Sequence, residues 1–197
     1  MHISDGVLPP ETWIGGYAVT AGLTALGLRK VKEGDVPKVS VLTAAFFVAS
    51  LIHVPVGPTS VHLVLNSLAG IVLGWAAYPA ILVGLVLQAL LFQFGGVTTV
   101  GINTLNMGLP AVVAGYIFKL RKKFPGDAVL WGALAGFEGI LGGALLLSLS
   151  LWTTGEGFLR VAQLAFVAHI PVAVVEAAIT AAAAGFLQRT RPEVLEG

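Results

Sequence analysis

The chain has 197 residues, of which 56% are hydrophobic and only 11% charged, with a mean hydropathy of +0.91. Soluble domains carry about 25% charged residues, so the composition excludes an ordinary soluble protein and predicts an all-α integral membrane protein, residues 1–197 forming one embedded domain. The lack of cysteine excludes disulfides and thiolate ligands, and a net charge of +1 says nothing of partners, because in a membrane protein the placement of basic residues carries the information.

Residues 1–10 are polar and proline-containing and lack the basic region of a cleavable leader, which predicts an intact amino terminus. The bulk of His2 predicts that Met1 is also retained. Downstream, breaks at proline, glycine and charge leave about seven apolar segments, near 13–31, 37–54, 61–75, 79–94, 107–120, 127–152 and 159–188. A spanning helix needs roughly 20 apolar residues. With no soluble domain, long linker or internal repeat in the sequence, a single bundle of transmembrane helices is expected.

Arg29, Lys30, Lys32 and Lys38 lie between the first two segments, Lys119, Arg121, Lys122 and Lys123 between the fifth and sixth, and Arg189 and Arg191 after the last. Alternating spans put all of these on one side and leave Arg160 alone on the other. Basic residues mark the cytoplasmic side, so the carboxyl terminus is expected there and the amino terminus outside, with His2, His53 and His62 on the outer face. The third segment is short: at 1.5 Å per residue, 61–75 does not cross a hydrocarbon core about 30 Å thick. Loops 53–60 and 95–103 should therefore dip inward, where irregular backbone is tolerated only if protein buries it or a wet cavity adjoins it. An outward-facing pocket is expected, floored by the third to fifth segments and plugged by the amino terminus.

The first two residues carry the most specific chemistry. The α-amine of Met1, the amide nitrogen of His2 and the Nδ1 of its imidazole can close a five-membered and a six-membered chelate ring on one metal ion, leaving a fourth position open. His62 is the candidate for it, with His53 as the competitor. A planar all-nitrogen set suits Ni²⁺ or Cu²⁺ and suits Zn²⁺ or Mg²⁺ poorly. Gln93, Asn103 and Asn106 are expected either to orient the His62 ring, as metal-bound imidazoles require, or to satisfy loop backbone groups. Thr59 or Ser60 is expected to cap the third segment, and His53 to end the second if it does not bind metal.

Deeper in the chain, Glu138, His169 and Glu176 are ionisable groups inside spanning segments, which are costly and are read by default as functional. His169 and Glu176 share a helix face, with Pro171 between them expected to kink the helix. They serve as an interhelical contact or as an ion relay. Small residues at 15, 18, 22 and 25 and at 177, 181 and 185 form stripes that let helices approach closely, inside the bundle or against another subunit. No Gly-x-x-x-x-Gly-Lys-Ser/Thr loop, His-Glu-x-x-His or Gly-x-Ser-x-Gly motif occurs, so neither P-loop ATP binding nor a hydrolase is indicated, and no catalytic residue is assigned. Uphill transport by such a chain would draw on a partner or on an ion gradient.

The opening Met1-His2-Ile3-Ser4-Asp5-Gly6-Val7-Leu8, the Gly57-Pro58-Thr59-Ser60-Val61-His62-Leu63 stretch, Phe92-Gln93-Phe94-Gly95-Gly96-Val97-Thr98-Thr99 with Gly101-Ile102-Asn103, and His169-Ile170-Pro171-Val172 leading to Glu176 resemble the NikM/CbiM family over nearly the whole chain. These are substrate-binding (S) components of energy-coupling-factor (ECF) nickel and cobalt transporters. The resemblance implies a seven-helix bundle with the amino terminus inserted at its centre, binding Ni²⁺ or Co²⁺ as transported substrate through Met1, His2 and His62. Asp5, His53, Gln93, Asn103 and Asn106 would then be supporting groups or alternative ligands. It further implies a coupling transmembrane subunit, two cytoplasmic ATPase subunits and a small accessory membrane subunit, the last expected as a separate polypeptide because the sequence ends at Gly197. The run before His62 favours nickel. The alternatives are a cobalt-specific component serving cobalamin synthesis, a vitamin-binding S component, which would not need a free Met1 amine, and, from another class, a membrane-embedded metalloenzyme, which would need an open coordination position.

Overall fold

The computed structural model describes residues 1–51 and 53–196. Its first helix, α1, runs Pro10–Leu28, opened by a proline whose fixed φ suits the first helical turn and by Glu11, whose charge complements the helix dipole. After the basic turn at Arg29 and Lys30, α2 spans Val36–Ala49. The chain then leaves the helical conformation. Residues His53–Val56 (β1) and Thr59–His62 (β2) form an antiparallel hairpin in the register His53 opposite His62 and Val54 opposite Val61.

This hairpin corrects the expected helices over 37–54 and 61–75. Pro55 and Pro58 cannot sustain helical hydrogen bonding, the flanking Val, Thr and His residues suit extended backbone, and Gly57 turns the chain at φ +58°. Thr59 and Ser60 therefore pair with β1 and do not cap a helix, and His53 lies in a strand. Helix α3 begins only at Asn66 and ends at Leu73. Its eight residues rise about 12 Å, far short of a bilayer, and a break at Gly74 leads into α4, Ala77–Phe92.

Helix α5 covers Val100–Lys119 and starts earlier than 107, because Gly101 lets it lie directly against α1: a Cβ there would stand 2.8 Å from the Tyr17 Cα. Asn103 and Asn106 thus sit on a helix and point from its first two turns. Helix α6, Ala128–Trp152, is capped by the Asp127 carboxylate accepting from the Leu130 amide at 2.9 Å. Helix α7 runs unbroken as Leu159–Thr190 with Pro171 inside it.

Among the described residues, four stretches are long and apolar enough to cross a membrane: Asn66–Phe92, Val100–Lys122, Ala128–Trp152 and Glu156–Thr190. Their outer faces are aliphatic, with Leu90 and Leu164 more than 60% exposed. Exposure on that scale would drive association in water and is ordinary against lipid. The small-residue stripe of α7 packs inside, where Gly132 and Gly136 of α6 meet Ala181 and Ala177. That of α1 does not: Gly15, Ala18, Gly22 and Ala25 are all exposed, and Gly16, Thr20 and Gly27 form the buried line. At the centre, the apolar cluster of Leu85, Met107, Ile140 and Ala173 closes around the side chain of Met1.

Candidate metal centre

The amino terminus fills the middle of the bundle: Met1, His2 and Ile3 are 0%, 3% and 0% exposed. Main-chain bonds hold it there. Asn103 grips Ile3 at both ends, its Oδ1 accepting from the Ile3 amide at 2.9 Å and its Nδ2 donating to the Ile3 carbonyl at 3.1 Å, while Thr99 Oγ1 donates to the same carbonyl at 2.8 Å. The Ser4 amide donates to Pro58 O at 3.2 Å and the Asp5 amide to Gly95 O at 2.9 Å, and Ile3 bridges to Thr59 of β2. The Asp5 carboxylate accepts from the Thr98 amide at 3.0 Å and from the Thr98 hydroxyl, which fastens the peptide to the loop before α5. The His2 amide takes part in none of these bonds.

Two further contacts set the first residue. The Met1 amine donates to Ser60 O at 2.5 Å, and its side chain lies against Gly143 of α6, where a Cβ would stand 2.7 Å from the sulfur and 2.9 Å from Asn106 O. Gly143→Val is therefore expected to expel Met1 from its seat. The predicted result is loss of metal binding by calorimetry in a variant that still elutes as a single species.

The imidazoles of His2 and His62 face each other with ring centroids 4.7 Å apart and planes inclined by 33°. Their free nitrogens follow from their partners. The Gln88 amide nitrogen donates to Phe47 O at 3.4 Å and to Ser50 Oγ, so its Oε1, 2.7 Å from His2 Nε2, accepts the Nε2 proton. His2 Nδ1 is left with its lone pair, as the chelate requires. His62 Nδ1 donates to Leu63 O at 2.7 Å, and its buried Nε2 has no partner among the described residues. An unpaired buried acceptor is costly unless something binds it.

Burial with no ion pair among the described residues pushes the Met1 amine well below its ordinary value, and burial likewise lowers His2 and His62. Burial therefore favours the neutral form of all three groups, the form that ligates a metal. Among the described residues no three His, Cys, Asp or Glu side chains converge, so a chelate at this point draws on main-chain nitrogen as well.

The hairpin that carries His62 is itself anchored. The Glu176 carboxylate of α7 accepts from the amides of Val64 and Leu65, the latter at 2.9 Å, where Leu65 takes the left-handed conformation at φ +57° that turns the strand into α3. Such a conformation is strained for a β-carbon-bearing residue, and the carboxylate holds it. The Glu176 carboxylate thus binds the backbone link between β2 and α3 and not another helix. His169 donates from Nδ1 to Ala165 O at 2.7 Å within α7, leaving a buried Nε2 without a partner, as is one oxygen of Glu138.

These contacts show where the supporting residues read from sequence lie. Asn103 hydrogen-bonds the Ile3 backbone, the second of the two roles expected for it. Asn106 accepts from Ser150 Oγ at 3.3 Å. Gln93 is exposed and ends α4 in a left-handed turn. His53, opposite His62 and so on the same face of the hairpin, packs edge-on against Phe94 with centroids 4.1 Å apart. The residue overlooked is Gln88. The signal for it was present, since it is the one amide side chain in the otherwise apolar α4.

The family model described as "Cobalt uptake substrate-specific transmembrane region" (CbiM) matches residues 2–194. The chain belongs to the CbiM family. Over 99% of its length it is 40% identical to a protein of Haemophilus influenzae whose name assigns it to metal transport, covering 97% of that protein. It is 33% identical to the cobalt transport protein CbiM of Sorangium cellulosum, all of this chain aligning with 95% of the relative. It is 32% identical to the fused nickel transport protein NikMN of Rhodobacter capsulatus, of which it spans 64%. Among solved structures, a truncated transition metal transporter superposes with a TM-score of 0.88 at 28% identity, over 96% of this chain and 99% of the other. CbiM-family membership and the apolar helices make this a multi-pass membrane protein of metal transport and not an enzyme, which sets aside the metalloenzyme alternative.

Proposed function

We propose that this CbiM-family chain is the substrate-binding component of an ECF transporter and that its amino terminus captures Ni²⁺ outside the cell. Residues 1–197 act as one membrane-embedded domain of seven helices, with the amino terminus external and the carboxyl terminus cytoplasmic, as the distribution of basic residues favours. The Met1 amine, the His2 amide nitrogen, His2 Nδ1 and His62 Nε2 are the four ligands. One observation carries this reading: the amino-terminal amine and two imidazoles meet in a buried site, and the hydrogen bonds of the two rings leave His2 Nδ1 and His62 Nε2 for a ligand.

Geometry and donor type select the ion. Four nitrogens, one an ionised amide, favour a planar d⁸ ion over Zn²⁺ or Mg²⁺. Co²⁺ is the second reading, favoured by the family's description and by the cobalt transport relative. Competition calorimetry separates them: Ni²⁺ is expected to displace Co²⁺, and the reverse order would make cobalt the substrate. This chain has no P-loop, so inward movement depends on partners: a coupling transmembrane subunit, two cytoplasmic ATPase subunits and a small accessory membrane subunit. The 64% coverage of the fused nickel relative leaves room there for such an accessory part.

Gln88 offers a test of the tautomer. Gln88→Leu removes the acceptor that holds the proton on His2 Nε2, a loss that in metal sites costs about 10–100-fold in affinity. Calorimetry of Ni²⁺ binding by this variant is expected to fall in that range, and wild-type affinity would show that Gln88 does not orient the ring. Acidity gives a second test. Binding expels the amide proton and requires neutral imidazoles, so affinity is expected to fall with decreasing pH, by about tenfold per unit for each proton released.

A further inference from the structure

Opposite the metal centre, at the far ends of α1 and α5, a cavity of about 410 Å³ is walled by Lys30, Lys32, Lys38 and Lys119 with Asp35 and Trp75. Helix α5 alone is 20 residues long, so about 30 Å separates the two ends. Asp35 pairs with Lys38 at 2.9 Å, and no other salt bridge among the described residues involves these lysines. Four ammonium groups against one carboxylate leave a charge of +3 around a concave space, more than is needed to fix topology.

A more apolar space adjoins this cavity. A second space of about 340 Å³ shares Lys38 and Val72 with it and runs between α2, α3 and α7 along Val41, Leu42, Leu68 and Leu187. Apart from Lys38 its walls are apolar. At the mouth, Trp75 Nε1 donates to the Tyr116 hydroxyl at 2.8 Å, the amphipathic pairing that marks headgroup level in membrane proteins.

We infer that this joined cavity and groove bind one anionic phospholipid of the leaflet on the lysine side, the phosphate seated among Lys30, Lys32, Lys38 and Lys119 and one acyl chain along Val41, Leu42 and Leu68. Clustered lysines at the membrane surface attract anionic headgroups, and the continuous apolar groove is what a free phosphate would not use. The lipid would tie α1, α2, α3 and α5 together at a level where α3 is too short to reach across the bilayer.

Native mass spectrometry of the detergent-purified full chain, incubated with phosphatidylglycerol, phosphatidylcholine or inorganic phosphate, tests this. The wild type is expected to retain phosphatidylglycerol several-fold over phosphatidylcholine, and the K30Q/K32Q/K38Q/K119Q variant to bring that ratio near one. If the fourfold variant is not monodisperse, K30Q/K119Q is read in its place and is expected to lower the ratio. K122Q/K123Q/R189Q, which removes three charges outside the cavity, should keep the wild-type ratio, and Leu68→Phe should lower phosphatidylglycerol retention by narrowing the groove. A wild-type ratio near one, an equal loss in the control variant, undiminished retention in Leu68→Phe, or displacement of the lipid by inorganic phosphate would each overturn the assignment.

Discussion

Adding a single residue ahead of Met1 is expected to abolish Ni²⁺ binding. The extension turns the α-amine into an amide, which removes one ligand and opens the five-membered ring. It also has nowhere to go. Met1 is fully buried, its amine lies 2.5 Å from Ser60 O and its sulfur rests against Gly143, so an extra residue must push the whole peptide out past Ser60 and Gly95. The expected loss by calorimetry is at least about a thousandfold, which corresponds to about 4 kcal/mol. His2→Ala, which keeps the amine and removes the imidazole, should be as damaging, because it takes away Nδ1 and with it the six-membered ring. Together the two variants test whether binding needs both the seated amino terminus and the His2 imidazole; a site that uses neither would survive both changes.

The second large effect falls on the hairpin. His62→Ala removes the one proposed ligand not supplied by the first two residues, and its expected cost is about a hundredfold, or about 2.8 kcal/mol. His53→Ala is expected to cost less than about tenfold. The two residues are directly opposed across the strands, yet their surroundings differ. His62 faces the His2 ring at 4.7 Å with a free Nε2, whereas the His53 ring is edge-on to Phe94 at 4.1 Å. The ranking is the informative quantity. Greater loss from His53→Ala would assign the fourth position to the other imidazole and leave His62 as a packing residue.

The parts of the fold legible from sequence were those that depend on hydrophobic length. The segments near 79–94, 127–152 and 159–188 emerge within a few residues as α4, α6 and α7, because a long apolar run in lipid has no alternative to helix. The run 53–65 reads as helix on hydropathy because its valines and leucines are apolar on any scale. Pro55 and Pro58 oppose that reading, since proline breaks a helix and is tolerated in an edge strand. Helix α5 starts at Val100, earlier than the sequence predicts from the local preference of Gly101 and Asn103 for loops. In place they serve close packing on α1 and a grip on Ile3, which no local rule reveals.

The candidate centre divides in the same way. Met1, His2 and His62 are singled out by ring size and ligand type, which are local chemistry, and the structure brings the three together. Their helpers are not singled out in this way. Asn103, Gln88 and Glu176 act across 100, 86 and 111 residues of sequence on Ile3, His2 and Leu65 respectively, and separations of that order are set by the bundle and not by spacing. What local inspection offers in such cases is a polar residue out of keeping with its helix, as Gln88 is in α4 and Glu176 in α7.

The absorption spectrum of the Ni²⁺-loaded, detergent-purified protein addresses the coordination itself. A deprotonated amide, an amine and two imidazoles in one plane predict the yellow-orange band of a square-planar d⁸ ion, absent when the same protein carries a residue before Met1. A pale green, weakly absorbing complex would instead mean six-coordinate nickel held by oxygen and water, and the proposed closure of the chain's own first residues upon the ion would be contradicted.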